Sequence, residues 1–189
     1  MTQEDVLIRA TVGDARVYAV TTTHLTQYMN KIHGLSPVAA AALGRTAAGA
    51  LLLAATMKDG EGVTIRFKGN GPLGEVMADA TNYTVRGFVE HPEVMLPLKK
   101  GKLDVGGCLL YTSDAADDKA GSIAVSGGYF VQPLPGASDE FLETLENNCI
   151  TLPYVTELLR SGHSPEDMIR LIGKGMAVEI LDCHPVSFH

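Results

Sequence analysis

Cysteine is scarce in this chain, basic charge is in deficit, and no hydrophobic leader opens it. Its 189 residues include three cysteines, Cys108, Cys149 and Cys183. An odd number at wide spacing excludes the disulfide framework of a small secreted domain. Lys and Arg total 15 against 22 Asp and Glu, for a formal net charge of −7 and a pI of about 5.3. No global positive field therefore draws nucleic acid or an anionic membrane. The opening MTQEDVLIRA has neither a basic n-region nor an apolar h-region, so no secretory signal is visible and cytoplasmic residence is the default. Hydrophobic residues make up 46% and charged residues 20%. That balance suits a globular protein with a core, and the length allows one domain plus an appendage.

What is present is one long apolar run, Ser36 to Met57, reading SPVAAAALGRTAAGALLLAATM, with Arg45 as its single charge. Ser36 before Pro37 is a helix start: the hydroxyl takes an orphan N–H, and Pro37 gives up a donor that had no partner. Lys58-Asp59-Gly60 reads as the stop, with Gly60 at the left-handed cap. The Ala- and Gly-rich interior lets other backbones approach and offers water no polar face, which predicts a central core helix. A membrane span fits by length, but Arg45 near a bilayer centre costs about 2.5–3.5 kcal/mol. Gly44, Ala47, Ala48 and Gly49 are expected at close backbone contacts, and Arg45 is expected in a structural salt bridge.

Around this helix the pattern is mixed. Val6–Ala10 and Arg16–Thr21 read as a hairpin turning at Gly13-Asp14, and Thr22 or Thr23 caps a short helix to about His33. Val63–Lys68, Glu75–Ala80 and Thr84–Glu90 alternate with period two and form an antiparallel meander. Val125–Gln132 is a further strand, and Pro133–Gly136 is a hard break. Beyond it come helices started by Ser138, Pro153 and Ser164-Pro165, with Ala177–Leu181 as a short extended piece. The fold class is therefore α+β: a β-meander core packed on a long Ala-rich buried helix, then a short helical linker region. The division is 1–136 for the core and 137–189 for the helical region.

Several stretches carry a resemblance. His33-Gly34-Leu35 leading into Ser36-Pro37-x-Ala39 and Ala41-Ala42-Leu43-Gly44-Arg45-Thr46 is similar to the redox-regulated 33-kDa heat-shock chaperonin family (heat-shock protein 33). So are Gly69–Gly74, Val85-Arg86-Gly87-Phe88-Val89, Gly127–Ala137 and Pro185-Val186-Ser187-Phe188. The resemblance covers roughly residues 4–107 and 121–188. It implies an ATP-independent holdase, not an enzyme, that binds unfolding client proteins under oxidative stress, with a homodimer also open. In the family, four cysteines hold zinc in a C-terminal domain; oxidation forms two disulfides, expels the metal and unfolds the linker.

The chain departs from that pattern twice. Between Gly107 and Ala120 it reads CLLYTSDAADDK where the family has several tens of residues of strand and helix. This segment, 108–119, is either a deletion with a new linker or a junction joining two fragments of one gene, and the second reading is preferred because lost strands leave unpaired edges. The second departure is that the four zinc-binding cysteines have no counterpart in these residues, so no zinc or other cofactor is expected here.

Other motifs yield bland readings. Gly69-Asn70-Gly71-Pro72-Leu73-Gly74 has dinucleotide-loop spacing, but a strand-like segment follows where a phosphate-binding helix is needed. A hairpin turn is expected, and a small-molecule-binding or enzymatic domain using that turn is the rival function. Cys183, His184 and His189 match no zinc spacing. Cys149 reads as a packed hydrophobe. Asp114, Asp117 and Asp118 form an acidic cluster read as a solvated loop. His24, His33, His91 and His163 form no catalytic grouping. No catalytic, cofactor-binding or metal residue is assigned. The residues expected nearest the chaperone event are Phe141, Leu142, Leu145, Leu152, Val155, Leu158, Leu159, Met168, Ile169, Leu171 and Ile172, spaced for one-sided helices docked on the core.

Overall fold

The computed structural model describes residues 4–109 and 121–189. Strands β1 (Val6–Val12) and β2 (Ala15–Thr21) form the expected hairpin, turning at Gly13 with φ of 52°. Helices α1 (Thr23–His33) and α2 (Pro37–Ala54) follow, then the meander β3 (Gly62–Lys68), β4 (Glu75–Thr81) and β5 (Thr84–Val89). After α3 (Val105–Leu109) come β6 (Gly121–Ala124), β7 (Gly127–Pro133), α4 (Asp139–Asn148), α5 (Leu152–Arg160), α6 (Pro165–Ile172), β8 (Val178–Pro185) and β9 (Ser187–Phe188).

There are two sheets: the expected meander belongs to one and the expected hairpin to the other. The first has the order β6-β7-β2-β1-β8 and is antiparallel throughout; the second has the order β3-β4-β5-β9, with β9 parallel to β5. Helix α2 lies between them. Leu7, Tyr18 and Val20 from the first sheet and Val76, Ala78, Ala80 and Val85 from the second share one buried cluster with Leu43, Ala47, Ala48 and Leu51 of α2. Gly44 and Gly49 are buried as well. The small residues are there because both sheets come close: a Cβ on Gly44 would stand 2.6 Å from the Val125 carbonyl oxygen, and one on Gly87 would stand 2.7 Å from Leu43 Cδ1. By length and mean hydropathy α2 could span a membrane, but 78% of it is buried inside the protein. It is the core helix.

Details of the start and stop signals differ from the sequence reading. Ser36 caps α2 as expected, its hydroxyl accepting from the Ala39 N–H at 3.2 Å. The helix ends at Ala54, three residues before Met57, because the last turn closes through Thr56 N–H to the Leu53 carbonyl and Met57 N–H to the Ala54 carbonyl. Gly60 has a positive φ of 84°, but it serves the loop into β3, donating to Asn82 Oδ1. Neither threonine hydroxyl caps α1. The buried Asp5 carboxylate, from the chain preceding β1, accepts from the Thr23 and Leu25 N–H groups at 2.9 and 2.7 Å.

The short extended piece expected at Ala177–Leu181 belongs to a longer strand, and the chain beyond it is strand as well. β8 pairs antiparallel with β1 from Val6↔Pro185 to Val12↔Val178. The chain then crosses to the second sheet, with Val186 N–H donating to the Asp5 carbonyl, Ser187 N–H to Tyr83 and His189 N–H to Val85. One segment thus closes an edge of each sheet.

Candidate functional site

The face of the first sheet turned away from α2 carries α4, α5 and α6. The starts of α4 and α6 are capped locally: Ser138 accepts from Phe141 N–H, and Ser164 and Asp167 form a reciprocal capping box with Pro165 in the first turn, a strong pairing of side chain and backbone at a helix start. Leu145, Val155, Leu158, Met168, Ile169 and Ile172 are buried against Ile8, Ala10, Val12, Val17 and Ala19, with Phe141 and Leu159 packed partly beside them. Leu152 and Leu171 instead face outward, and Leu142 is half-buried outside this cluster. Sequence spacing overlooked Ile150, Met176, Val178 and Ile180, which also pack here. They sit outside helices, where a helical period carries no signal. Tyr129 ties the α4–α5 corner down, its hydroxyl donating to the Ile150 carbonyl at 2.8 Å in a buried site. Asn148 closes the far end by donating to the Ile172 and Lys174 carbonyls.

A second apolar region lies where β3 and β6 border α2. Each is the outer strand of its sheet, and no strand among the described residues pairs with the free side of either. Ile123 of β6 and Ile65 of β3 meet over Gly49: a Cβ on that glycine would stand 3.3 and 3.6 Å from their Cδ1 atoms. Leu53 is 39% exposed, Phe67 44% and Ile123 37%. Arg45, Gly49 and Leu53 are spaced by four, so they lie along one stripe of the helix. From Ala41 to Ala54 only Arg45 and Leu53 are not fully buried.

The salt bridge expected for Arg45 is not formed. No ion pair reaches it among the described residues, and its Nε is buried without a hydrogen-bond partner. Burial alone pulls its pKa below the usual guanidinium value. The acid that would satisfy it is missing from the helices and strands packed around α2.

The other residues singled out in sequence do not assemble. Gly69–Gly74 is the β3–β4 turn, with Gly74 at φ 72° and a strand after it, so no helix N-terminus faces the glycines. Cys183 and His184 lie on β8, where His184 stacks on Tyr83 at 4.1 Å; His189 ends the second sheet. No three His, Cys, Asp or Glu side chains among the described residues are grouped to hold a metal. Three cysteines cannot supply four thiolates, so the zinc site of the resembled family does not fit these residues. Cys108, given no role above, is buried in α3, and its carbonyl accepts from Leu73 N–H. Cys149 packs on the helical cluster as expected. Burial pushes all three thiols above the usual range, helped by Asp104 at Cys108 and Asp182 at Cys183. The thiolate is the oxidisable form, so none of the three is activated. Asp114, Asp117 and Asp118 lie outside the described residues.

Fold and site together define an α+β protein that offers surface: a two-sheet sandwich around a helix, a docked helical layer, and one apolar border with no further strand on it among the described residues. Comparison with known proteins gives the family. The model of the family described as Hsp33 protein matches residues 5–113 and 110–189. The 33 kDa chaperonin of Desulforamulus reducens is 32% identical over 233 residues, spanning 98% of this chain and 79% of its own. The 33 kDa chaperonin of Limosilactobacillus fermentum is 34% identical, spanning 98% and 80%. The crystal structure of the 33 kDa chaperonin (heat shock protein 33 homolog) from Thermotoga maritima superposes with a TM-score of 0.84 at 25% identity, covering 99% of this chain and 80% of that one. The chain belongs to the Hsp33 family. The two family matches meet at residues 110–113, inside the segment that sequence reading set apart. The D. reducens alignment is 233 residues long against 189 here, so at least 44 positions of it face gaps in this chain.

Proposed function

We propose that this chain is a cytoplasmic chaperone that holds unfolding proteins on apolar surface without ATP, and that within these residues its holding does not depend on oxidation. Membership of a chaperone family supports the first half. The observation that carries the reading is the pairing of exposed apolar side chains with an absence of chemistry: Leu53 of α2, Phe67 of β3 and Ile123 of β6 are exposed, while no metal-ligand group and no activated thiol is present among the described residues. Contiguous exposed apolar surface marks a site for binding protein. The α4–α6 layer covers a second such surface on the first sheet, and its release would add to the first.

The test is suppression of light scattering by a heat-aggregating client, with and without peroxide, and with and without ATP. Equal suppression in all four conditions is expected. Suppression that needs peroxide would contradict the redox-independent half. No suppression in any condition would contradict the holdase reading.

A further inference from the structure

The face of the first sheet that α2 packs on is covered along only part of its length. Across β1 and β2 the pairing runs Leu7↔Val20, Arg9↔Tyr18, Thr11↔Arg16, and alternation puts these side chains on the face turned toward α2. Leu7, Val20 and Tyr18 lie in the buried cluster around that helix. Beyond Tyr18 the cover ends: the Arg9 side chain is 30% exposed and Arg16 is exposed. Arg9, Thr11, Arg16 and Tyr18 there line a hollow of about 290 Å³, together with Leu181 and Asp182 of β8. Every lining residue belongs to β1, β2 or β8; neither β7 nor β6 contributes. On the opposite face of the same strands Ala10, Val12, Ala15 and Val17 are buried beneath α4–α6. The polar side chains therefore stand on a fixed platform, which positions functional groups more closely than a loop does.

The charges around this hollow select an anion. Asp182 accepts from Arg9 Nε at 3.0 and 2.8 Å and pairs with Nη2 at 2.6 Å. That pair neutralises itself and fixes the plane of the Arg9 guanidinium. Arg66, Arg86, Arg160 and Arg170 each have an acidic partner as well. Arg16 has none among the described residues, so at the hollow its charge is the one left over. Glu179 stands opposite Thr11 across the β1–β8 pairing, but it does not line the hollow. The Thr11 hydroxyl sits between the two guanidiniums, opposite Arg16 in register and two residues from Arg9 on β1. The Tyr18 hydroxyl, whose contact with Gln132 Oε1 is a long 3.4 Å, is a further donor. Guanidinium and hydroxyl donors grouped in this way suit the oxygens of a phosphate, which arginine binds through two parallel hydrogen bonds. The volume falls just below the usual range of about 300–1,000 Å³ for small-molecule pockets. It limits the ligand to a phosphate carrying at most a short organic group.

We propose that the hollow between β1, β2 and β8 binds a small phosphate-bearing molecule, with Arg16 supplying the charge, Arg9 a pre-oriented guanidinium and Thr11 a hydroxyl donor. The proposal does not rest on the client-holding reading.

The test titrates the full chain with inorganic phosphate and, separately, with glycerol phosphate, against chloride at matched ionic strength, and follows backbone amide and arginine Nε chemical shifts. Expected are saturable shifts confined to Arg9–Thr11, Arg16–Tyr18 and Leu181–Asp182, with half-saturation below about 10 mM. Arg16→Gln, at an exposed position, should weaken binding at least about tenfold and leave the far-ultraviolet spectrum unchanged. Arg16→Lys should restore part of the loss, because it returns the charge without the fork. Thr11→Val, which keeps the side-chain shape, should weaken binding by a smaller factor. Arg86→Gln, an arginine on the other sheet, should change nothing. Tighter binding of glycerol phosphate would support the site with a phosphate monoester as its ligand, and equal binding of the two would support it with free phosphate. Equal shifts with chloride, a response that never saturates, or equal losses in Arg16→Gln and Arg86→Gln would overturn the proposal.

Discussion

The sandwich has two long borders, and they are built in opposite ways. On one, a single segment runs from β8 to β9 and pairs with β1 in the first sheet and β5 in the second. Polar ties lock it: Arg9 clamps Asp182 through Nε and Nη2 at 2.6–3.0 Å, His184 stacks on Tyr83, and Phe188 meets Tyr28 edge-on at 5.7 Å. On the other, β3 and β6 end the sheets, and among the described residues no strand pairs with their outer edges and no acid pairs with Arg45. The lesson is a division of labour. Hydrogen bonds that tie distant segments concentrate at the closed border, while at the other border the outer strand edges have no partner among the described residues.

Substitutions can break or sharpen that contrast. Leu43 is fully buried at the centre that both borders share and touches the space over Gly87. Leu43→Ala should cost about 3 kcal/mol of unfolding free energy in urea titration. Ala48→Leu, at a fully buried position of the same helix, should cost about 1–3 kcal/mol by overpacking. A neutral melting temperature there would mean that α2 is less enclosed than described.

At the closed border, Asp5→Ala removes the acceptor of two α1 amides next to the point where Val186 crosses between sheets. A loss of about 2 kcal/mol is expected, and an effect below about 0.5 kcal/mol would erase the claimed difference from the open side. There, Leu53→Ser and Phe67→Ser should each change stability by no more than about 0.5 kcal/mol yet reduce client holding.

The smallest effect belongs to Asp79 in β4. The Thr64 hydroxyl, donating at 2.8 Å, and Arg86 hold its carboxyl below the usual range. A depressed folded value means that its contribution is complete above the ordinary aspartate pKa of about 3.9 and disappears as pH falls through the folded value. Solvent screens the pair, so Asp79→Asn should cost less than about 1 kcal/mol at neutral pH. The gap between variant and parent should close in acid. A gap that widens as pH falls would show the sign to be wrong.

Much of this architecture was legible in the chain. Ser36-Pro37 and Ser164-Pro165 announced helix starts because their signals are local and need no tertiary partner. Alternation placed β3, β4 and β5, and helical spacing found most of the buried side of α4–α6. What escaped depended on distant contacts. Asp5 caps a helix that begins 18 residues later, and nothing near Thr22 reveals it. The tail from Cys183 to Phe188 looked like linker because its partners, β1 and β5, are more than 90 residues upstream. Arg45 was assigned a salt bridge on the rule that buried charges are paired. The rule fails here because Arg45 sits where α2 meets the β3–β6 border, and no acid among the described residues faces it.

Native-state amide exchange compares the two borders most directly. Amides of β1 and β5 that bond to the β8–β9 segment should exchange slowly, close to the rate set by global unfolding. Amides of β3 and β6 on the sides away from β4 and β7 should exchange fast in the same sample. Equal protection at both borders, or earlier exchange at β1 and β5, would contradict the picture of one closed border and one open to a partner.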